Sequence, residues 1–70
     1  LQQIELIRNY VRQEGRIKRE DVANLCRLTL RQATHRLTLM VKAGQLVLHG
    51  ANRGAYYTFP VVDTVQKTNN

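Results

Sequence analysis

Between Cys26 and Leu30 the helical rhythm of apolar residues stops and restarts on a new phase. Before the break, Val22, Leu25 and Cys26 fall on one face of EDVANLC; after it, Ala33, Leu37, Met40 and Val41 make a second stripe. Only Arg27, Leu28 and Thr29 lie between the two patterns. A link of that length suits two helices that cross steeply about a tight turn. Thr29, with Gln32 three residues on, forms a capping box, so the helix after the break, the third in the chain, is expected to begin at Leu30. Gly44 is its stop signal, which bounds the helix at 30–43.

The flanking segments follow the same logic. In LQQIELIRNYVRQEG, Ile4, Ile7 and Val11 recur at helical spacing with Leu1 a turn earlier, and Gly15 is the expected left-handed cap. Ile17 then stands alone between Arg16 and Lys18, as a one-residue strand or an apolar anchor would. Glu20 and Asp21 favour the positive end of the next helix dipole. Beyond Gly44 the chain changes to QLVLHGANRGAYYTF, β-branched and aromatic residues on both sides of Gly50-Ala51-Asn52-Arg53-Gly54. That is a hairpin over 46–59 with a loop of about five residues. Tyr56 and Tyr57 point to opposite faces of it, and Tyr57 is expected inside. Pro60 cannot extend a central strand, and the polar stretch 60–70 reads as a flexible C-terminal tail.

At 70 residues there is room for one small core, so 1–59 is expected to be a single domain. The chain opens on Leu1, which suggests a segment of a longer protein. One cysteine, Cys26, allows no intrachain disulfide and no zinc site of its own, and its place on an apolar face predicts a buried small hydrophobe. No apolar run reaches the roughly 18 residues of a membrane span, so a cytoplasmic domain without membrane contact is expected.

The net charge is +6, and its placement is uneven. Glu5, Glu14, Glu20 and Asp21 precede Val22, the fifth acid is Asp63, and the whole stretch from Val22 to Val62 has none. Arg27, Arg31, Arg36, Lys42 and Arg53 fall within it. Such asymmetry favours a polyanionic partner through release of phosphate counterions; the alternative is a solvated basic face.

The order helix, short anchor, helix, tight turn, helix, hairpin resembles that of a winged helix-turn-helix domain. The residues that carry the likeness are Gly15, Ile17, Leu28-Thr29 and Gly44-Gln45-Leu46, and the GANRGAYYTF hairpin looks like a Gly-x-x-Arg-Gly-x-x-Tyr wing. Such domains occur in small bacterial transcription regulators and at the C-termini of divergent-AAA, helicase-related ATP-binding proteins. The resemblance implies an α+β fold that binds double-stranded DNA, with the recognition helix 30–43 in the major groove and the wing 46–59 on the backbone or minor groove. Two positions depart from the family. Lys18 stands where a Ser or Thr N-cap is usual and cannot accept a bond, so the second helix should fray. Arg27 stands where Gly is usual, and a left-handed conformation there would cost about 1 to 2 kcal/mol. Either the turn differs, or Arg27 is tolerated because its side chain meets phosphate.

On that template the candidate DNA contacts are Arg27, Thr29, Leu30, Arg31, Gln32, Thr34, His35, Thr38 and Lys42, with Asn52 and Arg53 in the wing. Arg31 suits bidentate reading of guanine and Gln32 of adenine, though a phosphate contact serves Arg31 equally well. Thr34, His35, Thr38 and Lys42 share its face. Leu30 can meet a thymine methyl, or pack on the first strand or on a partner subunit. Arg53, held between glycines, suits phosphate or the minor groove, or is a solvated turn residue. Arg36 lies off that stripe and is expected to pack its stem on the second helix and reach a phosphate or an acid.

Catalytic machinery is hard to build here. The sequence has no serine, and His35 and His49 have no acid nearby in sequence, so no catalytic residue, metal or cofactor is expected. Single-strand or RNA binding would want more stacking surface than three tyrosines and one phenylalanine supply. The rival from another class is a protein-interaction or homodimerisation module, in contact with a second copy or with other domains of a parent chain, through Leu6, Tyr10, Leu30 and Leu39.

Overall fold

The computed structural model describes residues 2–61. Leu1 and most of the expected tail, 62–70, lie outside the described residues. Within them the chain forms a small α+β domain of three helices, α1 (Gln2–Glu14), α2 (Arg19–Cys26) and α3 (Leu30–Lys42), and a hairpin of β1 (Val47–His49) and β2 (Tyr56–Thr58). No helix among the described residues is long and apolar enough to cross a membrane.

Helix α1 ends where Gly15 takes φ +91° and donates its N–H to the Val11 carbonyl at 2.8 Å. Positive φ is open to glycine at little steric cost, and it turns the chain back toward the core. Two residues on, Ile17 is wholly buried and bridges Tyr57 in antiparallel fashion. The Ile17 N–H donates to the Tyr57 carbonyl at 2.9 Å, and the Tyr57 N–H returns the bond at 2.8 Å. Ile17 is thus strand and anchor at once.

Helix α2 is better capped than Lys18 alone predicts. The lysine side chain accepts nothing, but its backbone N–H donates to Asp21 Oδ2 at 2.9 Å, the reciprocal half of a capping box. The expected fraying therefore loses its premise, because the third helical residue supplies the acceptor. At the other end Arg27 takes φ 58° and ψ 51°, the left-handed conformation, and Leu28 N–H reaches back to the Ala23 carbonyl at 2.9 Å. The turn keeps the shape that usually needs glycine. Cys26 departs from expectation: it is only half-buried, since the last turn of so short a helix leaves one side open. Burial still raises its thiol pKa, against the opposing charge of Arg36.

Helix α3 begins with the full box. Thr29 Oγ1 accepts the Gln32 N–H at 3.1 Å, and Thr29 N–H donates to Gln32 Oε1 at 3.0 Å. It closes one residue sooner than expected, with Ala43 as cap and Gly44 at φ +80°. The core is Ile7, Val11, Ile17, Val22, Ala33, Leu37, Met40, Leu46 and Tyr57. Each of its large side chains contributes about 1.5 to 3 kcal/mol by leaving water. Leu46 belongs to this core rather than to a strand, so the hairpin ladder is shorter than 46–59.

The strands pair Val47 with Thr58, Leu48 with Tyr57 and His49 with Tyr56. Tyr57 turns inward as expected, and burial raises its phenol pKa. On the outer face His49 stacks on Tyr56 with ring centres 5.0 Å apart and donates from Nε2 to Thr58 Oγ1 at 2.8 Å; the hydroxyl's own proton goes to the Phe59 carbonyl. Arg16 lies over the Tyr56 ring and Arg8 over Phe59, at 5.0 and 5.2 Å, so one arginine of the α1–α2 link and one of α1 brace the end of the hairpin.

Candidate nucleic-acid interface

Because Ala33, Leu37 and Met40 hold α3 by one face, the opposite face is fixed in space by the core. Arg31, His35, Thr38 and Lys42 stand exposed along it. Thr34 is half-buried at the edge of that face and turns toward the hairpin. No residue of α3 is acidic. Among the described residues one ion pair forms, Arg19 Nε to Glu20 Oε2 at 3.5 Å, so Arg27, Arg31, Lys42 and Arg53 have no carboxylate partner there. An exposed pair of that kind adds little to stability, about 0 to 1 kcal/mol.

The ridge is flanked by two hollows. On the hairpin side, a cleft of about 380 Å³ brings Asn52 and Arg53 of the loop together with Thr34, Leu48, Tyr57, Arg19 and Glu20. The loop reaches this position through Gly50 at φ +79° and a 3-10 turn at Asn52–Gly54, in which Asn52 itself takes φ 56°. Asparagine tolerates that conformation better than most side chains. The loop between paired residues therefore runs from Gly50 to Ala55, one longer than expected. On the other side, Arg31, Gln32 and His35 line a hollow with Gln3, Leu28 and Arg36.

The predicted residues thus fall into three groups. Arg27, Thr29, Leu30, Arg31 and Gln32 surround the start of α3, with Leu30 46% exposed. Asn52 and Arg53 meet Thr34 across the first cleft. Lys42 lies at the far end of the outer face, about 16 Å along the helix axis from Arg31, with the exposed His35 and Thr38 between them. Gln32 and Thr29 are committed to each other: the Oε1 that adenine would need already accepts the Thr29 N–H. Bidentate reading by Gln32 therefore has to share that oxygen with the cap or open the cap. Tyr10, expected at a contact surface, is half-buried against the core instead. Arg19, Gln3 and Arg36 complete the two hollows. Sequence reasoning missed all three as lining residues of these hollows: the basic run Arg16-Ile17-Lys18-Arg19 is the one signal that points toward Arg19, and nothing in the sequence places Gln3 beside α3.

Arg36 is half-buried off the exposed stripe, as expected, but meets no acid among the described residues. Its Nε is buried without a hydrogen-bond partner among the described residues. Compared with protein-family models, curated proteins and solved structures, the chain finds no match. The reading of this surface rests on its own residues.

Proposed function

We propose that the domain is a winged helix-turn-helix module that binds double-stranded DNA, with α3 in the major groove and the hairpin loop against the backbone or minor groove. The observation that carries this reading is the acid-free outer face of α3, where Arg31, His35, Thr38 and Lys42 stand exposed with no carboxylate partner among the described residues. A helix of about 10–12 Å diameter with its side chains fits a major groove about 12 Å wide. Arg31 sits in the first turn, where a docked recognition helix meets base edges, and Arg27 precedes it at the corner, within reach of phosphate. Arg53 serves the backbone or minor groove from the loop. The setting this suits is a bacterial transcription regulator or a DNA-associated ATP-binding protein, in the cytoplasm at the nucleoid.

The test is titration of a labelled duplex at two salt concentrations. Binding at low salt that falls steeply as salt rises is expected, since each neutralised phosphate contributes about 0.9 to the slope of log K against log salt. No binding at low salt, or binding indifferent to salt, defeats the reading. It would turn attention to the exposed Leu6, Leu30, Leu39, Val47 and Leu48, which favour the second reading, an interaction or dimerisation module.

A further inference from the structure

The hairpin has one edge that is taken and one that is open. Tyr57 exchanges both of its backbone hydrogen bonds with Ile17, so its N–H and C=O face that side of the sheet. In an antiparallel ladder the bonding side alternates from residue to residue. Leu48, directly opposite Tyr57, therefore turns its own N–H and C=O away from β2, while Val47 and His49 turn theirs toward Thr58 and Tyr56. Among the described residues no backbone bond outside the hairpin ladder takes up either group of Leu48. The side chains leave the strand open as well, with Val47 37% and Leu48 47% exposed. Such an edge is a template for another strand, and proteins ordinarily guard it with charge or proline. This one has neither. From Ala43 to Asn52 there is no Asp, Glu, Lys, Arg or Pro, in a chain of which 23% is charged. Its one guard is its length, three residues.

We propose that β1 pairs with β1 of a second copy of this chain, antiparallel, across a two-fold axis at Leu48. A residue that offers both backbone groups outward is its own complement: the Leu48 N–H of each copy donates to the Leu48 carbonyl of the other, and one residue closes both bonds. The two hairpins become one four-stranded sheet. The two Leu48 side chains lie on the same face of it and cover part of each other's exposed surface. Val47 comes opposite His49 of the second copy, with Cα atoms about 4.5 Å apart. Charge selects the occupant. Each copy carries +6, so two copies repel except where uncharged surface meets uncharged surface, and the edge is such a surface. A foreign acidic strand drawn by the net charge would find no cation in the run, since Lys42 and Arg53 stand just outside its two ends. Three residues a side is small beside the roughly 1,200 Å² that a stable complex buries, so the association is weak and shows at high concentration. It concerns the hairpin edge and rests on neither reading of the α3 face.

The test uses the full chain without DNA, so its failure leaves the reading of α3 where it stood. Amide spectra are recorded over a dilution series from millimolar to micromolar concentration, and a mixture of isotope-labelled and unlabelled copies is searched for contacts between molecules. A Leu48 amide that shifts with concentration is expected, together with a contact from the Val47 α-proton to the His49 α-proton of the second copy. A chain synthesised with an N-methyl group on the Leu48 nitrogen keeps the side chain and the bonds within the hairpin but loses both bonds across the axis. It should associate about tenfold more weakly. Leu48→Lys, which sets like charges face to face across the axis, should weaken the association as well. Should either altered chain fold poorly, the wild-type mixture still decides. A Leu48 amide unmoved over the whole series, with no contact between copies, overturns the proposal. So does a well-folded N-methylated chain that associates as wild type, or an association that moves Leu6, Leu30 or Leu39 and leaves Val47 and Leu48 in place. A contact from Val47 to residues 62–70 that dilution does not change overturns it too, because the edge then belongs to the chain's own tail.

Discussion

Helices α1 and α3 are both 13 residues long, and both bury a narrow apolar stripe in the same core. Their outer faces have little in common. On α1 the exposed positions mix Gln2, Glu5, Asn9, Arg12 and Glu14, with opposite charges interleaved. On α3 the exposed polar positions are Arg31, Gln32, His35, Thr38 and Lys42, with no acid, beside Leu30 and Leu39. The inner stripes explain why both segments are helices that dock, and α1 shows that docking does not require a basic outer face. The charge pattern of α3 is therefore surplus to folding, and surplus of that kind is where a partner is read.

The comparison breaks first if the inner faces are not equivalent. Ile7→Ala and Leu37→Ala each delete a fully buried side chain, and each should lower stability by about 2 to 5 kcal/mol in urea unfolding. A loss below about 1 kcal/mol at Leu37 would mean that α3 is rotated from its described phase, and its outer ridge with it.

The outer faces give the next largest effect. Arg31→Ala should cost about 1 to 3 kcal/mol on a selected duplex and much less on a scrambled one. Arg53→Ala should weaken both duplexes alike and reduce the salt slope by about one ion. Arg12→Ala, on the exposed side of α1, should leave both affinities where they were. Equal losses from Arg12→Ala and Arg31→Ala would reduce the contrast between the helices to net charge alone.

A smaller effect sharpens the role of the corner between α2 and α3. Arg27→Gly relieves a left-handed non-glycine residue, while glycine adds freedom to the unfolded chain, so stability should rise by about 0.5 to 1 kcal/mol. Duplex affinity should fall in the same variant if the arginine meets phosphate. A variant that is more stable and binds DNA as well as wild type would show that Arg27 serves neither purpose.

Local chemistry was legible in the sequence where one residue type settles a conformation. Gly15 and Gly44 marked their helix ends, Thr29 and Gln32 their cap, and the alternation at Tyr56 and Tyr57 gave the inward ring. The Lys18 cap was misjudged because the acceptor comes from Asp21, and an N-cap residue read alone omits the reciprocal half. Cys26 was placed too deep because a helical wheel ignores how little cover surrounds the last turn of an eight-residue helix. The two hollows could not be read at all. They depend on Gln3 meeting α3 and on Arg19 meeting the hairpin loop, contacts that only the crossing of elements creates. The unpartnered Nε of Arg36 belongs to the same class: the sequence put the side chain on the flank, and the surroundings left it without an acceptor.

The bridge between Ile17 and Tyr57 has a consequence for time as well as for shape. Its two backbone bonds join residues far apart in the chain, whereas the helices form from near neighbours. Closing that long loop is entropically expensive and comes naturally after the helical corner has formed. The loop that carries Arg53 is held to the helices through this latch and the arginine braces beside it. Its docked lifetime is therefore a quantity separate from the lifetime of the fold. Amide exchange at Ile17 and Tyr57 measures it, and exchange there faster than in the middle of α3 would identify a hairpin that lifts and resettles while the three-helix body stays folded.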